Sequence, residues 1–187
     1  MSESGETSNP SIGIFFGTEG GNTEAIAELI RDQLAEQNLI SFKNISECET
    51  SDLLNHDVLL LGTSTWNIGD IQYDWEEKLE EISQLDLKGI KVGLFGVGDA
   101  EGYPDTFVDG MGILWDSMKE SGPVLIGKWP TKDYTFDESK GLLDEDHFMG
   151  VVLDEDNESA LTPERIETWV KQLLQELKQG ESANSAA

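Results

Sequence analysis
The sequence predicts an α/β fold, a parallel sheet covered by helices on both faces. Apolar runs of strand length alternate with segments of helical period, which is the pattern that such a sheet produces. A glycine-rich turn joins the first strand directly to the first helix. The chain has 187 residues, of which 37% are apolar, enough for one domain with an ordinary core.

The strands come first. Ile12–Phe16, Ile40–Asn44, residues 58–61, Lys91–Val97 and Val124–Ile126 are the candidates, and the last resumes around 150–153. Between them lie the helices. Residues 23–37 place Ile26, Leu29, Ile30 and Leu34 on one face, and residues 162–179 do the same with Ile166, Trp169, Val170, Leu173, Leu174 and Leu177. Thr162 is the expected N-cap of the latter helix, with Pro163 at its first helical position. Shorter helices are expected over 73–82 and 104–120, with Trp75 and Trp115 packed in the core. Residues 127–149 break the alternation, being rich in charges, Gly and aromatics, and read as an insertion into the last strand. Residues 1–10 and 180–187 are polar and read as a flexible leader and tail.

Composition narrows the function. No apolar run approaches the roughly 20 residues of a membrane helix, and the first residues lack the basic start and apolar stretch of a signal peptide, so a cytoplasmic protein is expected. The single cysteine, Cys48, excludes an internal disulfide and a thiolate cluster for iron-sulfur or zinc. His56 and His147 have no neighbours at metal-ligand spacing and read as structural or solvated, so no metal site is expected. With 38 acidic and 12 basic residues the formal charge is -26, which repels nucleic acid and anionic membranes. The acidity fits steering toward basic surfaces on other proteins, with solubility or a saline habitat as the alternative.

Three loops carry the chemistry. The first strand runs into Gly17-Thr18-Glu19-Gly20-Gly21-Asn22-Thr23 and then a helix, which places free N–H groups and the helix dipole at a strand's carboxyl end. The hydroxyls of Thr18 and Thr23 and the amide of Asn22 add donors around a phosphate. No lysine is present and the Gly-Lys-Ser/Thr ending of a triphosphate loop is missing, as is G-x-G-x-x-G. A monophosphate held by neutral donors remains. The second loop is Gly62-Thr63-Ser64-Thr65-Trp66-Asn67-Ile68-Gly69-Asp70 and the third Gly98-Asp99-Ala100-Glu101-Gly102-Tyr103, each with one aromatic, Trp66 or Tyr103, able to flank a planar ring. Asp99 and Asp105 could be read as an acid and base pair, but no nucleophile accompanies them, and a hydrogen-bonding role for Asp99 is preferred.

These motifs resemble the flavodoxins, in particular the long-chain type. The resemblance rests on residues 14–19 and 21–24, on 64–70 with Asp74 and Trp75, on 95–99 with 102–107, and on 153–157 with Leu161, Thr162, Arg165, Ile166 and Trp169; it covers 11–178. It implies a doubly wound five-stranded parallel sheet in the order 2-1-3-4-5, with 127–149 as the long-chain insertion. It also implies that FMN, held without a covalent link, sits at the sheet's carboxyl edge, flavodoxin being itself the reference case of that placement. By the resemblance Thr18, Glu19, Gly20, Gly21, Asn22 and Thr23 cradle the phosphate. Ser64, Thr65, Trp66, Asn67, Ile68 and Gly69 form the loop beside the flavin, with Trp66 on the inner face. Tyr103 stacks on the outer face, Gly98 and Asp99 touch the pyrimidine edge, and Asp105 completes the set. Flavodoxins generally carry Thr or Ser at the position of Gly20. Loss of a hydrogen bond to a charged group costs roughly 1.5–3 kcal/mol, so weaker FMN binding is expected here, and tighter binding in Gly20→Thr.

The expected function is a low-potential one-electron carrier that replaces ferredoxin, a monomer and not an enzyme. Its partners would present basic surfaces, as in ferredoxin-NADP reductase, photosystem I or other ferredoxin-dependent enzymes. Asn67 tolerates the backbone angles needed to turn a carbonyl toward flavin N5, which gains a proton on one-electron reduction. The absence of Lys and Arg from the three loops disfavours a second added charge. The alternative is an FMN-dependent NAD(P)H quinone reductase on the same fold, which needs room over the flavin face that Tyr103 would cover. A phosphate-accepting signalling receiver would need aspartates at strand ends and a nearby lysine, and the first strand ends in Gly17-Thr18 instead.

Overall fold
The structure, a computed structural model, describes residues 9–35 and 39–185, with the backbone alone for 181–185. Its sheet is built on β1 (Ile12–Phe16), β2 (Ile40–Asn44), β3 (Val58–Trp66), β5 (Lys91–Val97), β6 (Val124–Ile126) and β9 (Val151–Leu153), all parallel, with the two-residue β4 (Asp70–Ile71) folded back antiparallel on the end of β3. The order is β2-β1-β3-β5-β6, with β9 also on β5. This is the expected 2-1-3-4-5 arrangement with its fifth strand in two pieces: β6 pairs residues 91–93 and β9 pairs residues 95–97 of β5.

Every residue of β1 and the first six of β3 are buried, as a sheet covered on both faces requires, whereas β2 at the edge is only half-buried. The helices are α1 (Asn22–Leu34), α2 (Tyr73–Glu76), α3 (Leu79–Ser83), α4 (Asp109–Met118) and α5 (Thr162–Ser185). A Cβ on Gly93 would meet Trp169 and Leu173 of α5, and one on Gly96, an odd number of residues along and so on the opposite face, would meet Met111 of α4. α1 packs with α5 on the first face and α3 with α4 on the second.

Several boundaries differ from the sequence reading. β3 runs five residues past Leu61, because β4 supplies partners for Thr65 and Trp66. The helix expected over 73–82 is two short ones, and at the break Lys78 Nζ donates to the Cys48 carbonyl at 2.9 Å. The helix expected over 104–120 begins as a 3-10 turn, Pro104–Thr106, and α4 starts only at Asp109, because Val108 has φ 50°. Thr162 does not cap α5 from outside: it is itself helical, and its hydroxyl donates to Glu155. The backbone of α5 continues past Gly180 to Ser185. The expected helical residues Glu36 and Gln37, and most of the expected leader, lie outside the described residues.

Residues 127–149 fold rather than wander. β7 (Trp129–Pro130) pairs antiparallel with β8 (His147–Phe148), and Phe107, Tyr134, Phe136 and Phe148 stack with ring centroids 5.3–6.2 Å apart. The Tyr134 hydroxyl donates to the Val152 carbonyl at 2.6 Å and accepts from Trp129 Nε1 at 2.9 Å. Among the described residues no helix is long and apolar enough to cross a membrane, and no cluster of His, Cys, Asp and Glu could hold a metal ion. His56 meets the Phe15 ring edge-on, and His147 Nδ1 lies 3.0 Å from Asp144.

Candidate functional site
Parallel strands point their carboxyl ends to one edge, so the loops after β1, β3, β5 and β9 gather there. Together they enclose a cleft of about 330 Å³, within the size range of small-molecule sites. Its wall consists of Thr18, Glu19, Gly20, Asn22, Thr23, Ser64, Thr65, Trp66, Asn67, Val97, Gly98, Asp99, Tyr103 and Asp156.

The loop from β1 to α1 forms one end. Among the described residues the N–H groups of Thr18, Glu19, Gly20, Asn22, Thr23 and Glu24 meet no acceptor, and they stand at the positive end of the α1 dipole. The loop shapes itself: Gly21, at φ 87°, caps α1 and donates its own N–H to Thr18 Oγ1 at 3.0 Å. That angle suits glycine and strains any residue with a Cβ. A Cβ on Gly20 or Gly21 would meet nothing within 4 Å, so space lies over the loop. Neutral amides and hydroxyls beside open space, without a cation, suit a phosphate monoester.

The β3–β4 hairpin forms one side. Trp66 is 38% exposed, and its Nε1 donates to Ser64 Oγ at 2.7 Å, which fixes the indole plane. Asn67 has φ 49°, the left-handed conformation anticipated for it, and its side-chain amide donates to Asp70 Oδ2 at 2.9 Å.

The β5 loop forms the other side. Tyr103 is 50% exposed. Asp99 Oδ1 accepts from Gly102 N at 2.7 Å, Glu101 N at 3.1 Å and Asn157 Nδ2 at 2.9 Å, so the carboxylate braces its own loop. The Gly102 N–H first, then the Asn157 amide, hold the Asp99 carboxyl below its usual range. These hydrogen bonds run to the loop itself and to Asn157. No acid-base pair forms, since Asp105 lies exposed on the 3-10 turn, away from the cleft.

Ile68, Gly69 and Gly21 are also off the wall. Ile68 is 83% exposed at the hairpin tip, Gly69 faces Asp109 and Thr106, and Gly21 turns its N–H inward to Thr18. Two wall residues, Val97 and Asp156, escape the sequence reading. Asp156 follows β9, whose carboxyl end meets the same edge, and that shared edge was the available signal. Burial, then the nearby Asp99 and Asp154 carboxylates, push its own carboxyl up.

A wider hollow of about 590 Å³ lies between the insertion and α5. Its buried cation, Arg165, is already spoken for: it pairs with Glu158 at 2.9 Å and lies 4.4 Å from the Tyr134 ring centre. Free donors collect in the smaller cleft, which is therefore the functional candidate.

Comparison with known proteins agrees. The flavodoxin family model matches residues 14–169. A flavodoxin of Klebsiella pneumoniae is 44% identical over 174 residues, 93% of this chain and 98% of that relative. A flavodoxin of Synechocystis sp. is 42% identical over 162 residues, covering 87% and 95%. Among solved structures, Fusobacterium nucleatum flavodoxin bound to flavin mononucleotide superposes with a TM-score of 0.84 at 28% identity, covering 89% of this chain and 98% of that one.

Proposed function
The chain belongs to the flavodoxin family, and from that membership we propose how its cleft divides the work of an FMN-based electron carrier. FMN, when bound, supplies the ring that takes up and releases single electrons. The unpaired N–H groups of the β1–α1 loop, with the Thr18 and Thr23 hydroxyls and the Asn22 amide, hold the phosphate. Trp66 and Tyr103 flank the ring and keep water from its faces. Asn67, already at φ 49°, would present its peptide to the ring edge, where its carbonyl could accept a hydrogen bond from a ring N–H.

The acidic wall sets the sense of the potential. Glu19, Asp99 and Asp156 line the cleft, and among the described residues no Lys or Arg does. A carboxylate about 8 Å from an added electron costs it roughly 2 kcal/mol at an effective dielectric of about 20. Electrons therefore leave readily, and the carrier works at low potential.

The observation that carries this reading is the meeting of a cation-free phosphate cradle with two aromatic walls at one sheet edge. Its acidic surface, at formal charge -26, suits basic faces on partners such as ferredoxin-NADP reductase, photosystem I or other ferredoxin-dependent enzymes. The protein would serve them as a cytoplasmic monomer without turnover of its own. The test is to titrate purified flavin-free protein with FMN and then reduce it anaerobically. Stoichiometric uptake and two separated one-electron stages are expected; a protein that takes up no FMN would overturn the reading, and steady NAD(P)H oxidation would mark a reductase instead.

A further inference from the structure
Asp109 is the first residue of α4, is 3% exposed, and touches two distant segments at once. Its Oδ1 accepts the N–H of Lys140, in the insertion, at 2.7 Å. Its Oδ2 faces the hairpin turn, where a Cβ on Gly69 would stand 2.8 Å away. Gly69 has φ 92°, so glycine is required there twice over, by backbone angle and by the carboxylate against it.

The next residue strengthens the hold. Gly110 N donates to Thr65 Oγ1 at 3.0 Å, and a Cβ on Gly110 would come within 2.7 Å of the Ser64 carbonyl. The start of α4 thus grips β3, the first strand of the hairpin, as well as its turn. On the opposite side the insertion grips the start of α4. Phe107 N donates to the Glu138 carbonyl at 3.2 Å, the Ser139 hydroxyl donates to the Phe107 carbonyl, and a Cβ on Gly112 would stand 2.1 Å from the Lys140 carbonyl. Among the described residues the non-glycine residues at positive φ are Asn67 and Val108, one in the hairpin turn and one immediately before Asp109. Each needs neighbours that over-determine it, the more so for β-branched Val108.

The geometry points to Asp109 as a positioning residue that fastens the ring-side turn, 67–69, to the insertion, so that the insertion holds the Asn67 peptide in its left-handed conformation. The inference rests on the reading of the cleft as the FMN site, and it gives the insertion a task inside the molecule. A carboxylate between the two segments supplies an acceptor to one and a fitted surface to the other, which neither could provide for itself across the start of α4.

Amide hydrogen exchange in the flavin-free protein tests the coupling directly. Asp109→Ala should speed exchange at Asp70 by about tenfold or more, together with Lys140, while β1 and β5 stay protected. Asp109→Asn, which keeps an acceptor for the Lys140 N–H, should stay within about threefold of the parent. Ser139→Ala, wholly within the insertion, should speed exchange in the hairpin turn as well, and it carries the test alone if Asp109→Ala fails to fold. In the FMN-loaded protein the first one-electron midpoint should move in Asp109→Ala and Ser139→Ala more than in Asp109→Asn. Equal shifts in the two Asp109 variants would mean that charge alone matters and would overturn the inference. So would faster exchange confined to the insertion. A parent protein that binds no FMN would sink the cofactor reading and leave the exchange result to decide this one.

Discussion

Threonine at position 20 should add a hydroxyl to a phosphate cradle at no steric cost. Gly20 is not among the glycines at positive φ, and a Cβ there meets nothing within 4 Å. A hydrogen bond to a charged group is worth roughly 1.5–3 kcal/mol, so Gly20→Thr should lower the FMN dissociation constant by about tenfold or more. Fluorescence-quench titration of both proteins checks this, and equal or weaker affinity refutes it. Asp99 gives a pH-dependent prediction of known sign. Hydrogen bonds from Gly102 and Asn157 depress its folded-state pKa, so their contribution is present above the unfolded value and is lost as pH falls through the depressed one. NMR titration of the Asp99 carboxyl should give a midpoint below about 3.9, and Asn157→Ala should move it upward. Residue types and spacing singled out Thr18 and Asn22, because a strand–loop–helix junction places its donors by local sequence, and Trp66 and Tyr103 as the aromatics of two strand-end loops; Asn67 and Asp99 came with the resemblance to the flavodoxins. Asp156 was hidden because its neighbours in the cleft are distant in the chain.

At the scale of elements, strands were legible where an apolar run dictated them, as at Ile12–Phe16, Lys91–Val97 and Val124–Ile126, and Ile40–Asn44, broken by Ser41 and Lys43, also falls where the sequence placed it. The errors lie where partners come from afar. No local signal stops a helix at Val108; the chain leaves helical geometry there because Glu138 and Ser139 take the backbone groups of Phe107. The hairpin β7–β8 is equally invisible, since two-residue strands carry no period. α5 shows how an interrupted strand is secured. Trp169 is fully buried, and its Nε1 donates to the Gly127 carbonyl at 2.7 Å, at the point where β6 gives way to the insertion. Trp169→Phe removes that donor and part of the ring together. An unpaired buried acceptor costs about 1–3 kcal/mol and the lost volume adds to it, so destabilisation of roughly 2–4 kcal/mol is expected. Urea denaturation measures it; a loss under about 1 kcal/mol would show that the Gly127 carbonyl finds another donor.

For the whole molecule, charge is the dominant property. Several of the 12 cations are occupied locally, as in Arg31–Asp32, Lys119–Asp116, Arg165–Glu158 and Lys171–Glu167, which leaves most of the 38 carboxylates repelling one another. Screening lengths shrink from about 30 Å at 0.01 M salt to about 3 Å at 1 M. Thermal stability should therefore rise as salt is added, by several degrees between about 0.01 and 0.5 M, in differential scanning calorimetry. Over the same range the association rate with a basic redox partner, followed by stopped flow, should fall by about tenfold or more. A rate indifferent to salt would leave the acidity a solubility device only. The divided fifth strand bears on crowding. Strands at the rim of a sheet offer unpaired backbone on which another chain can zip up, and long flat rims invite it. Here that rim is two three-residue pieces with a folded hairpin rising between them. A second copy finds no run long enough to extend the sheet at this rim, which leaves the five-residue β2 as the one edge where another chain could pair.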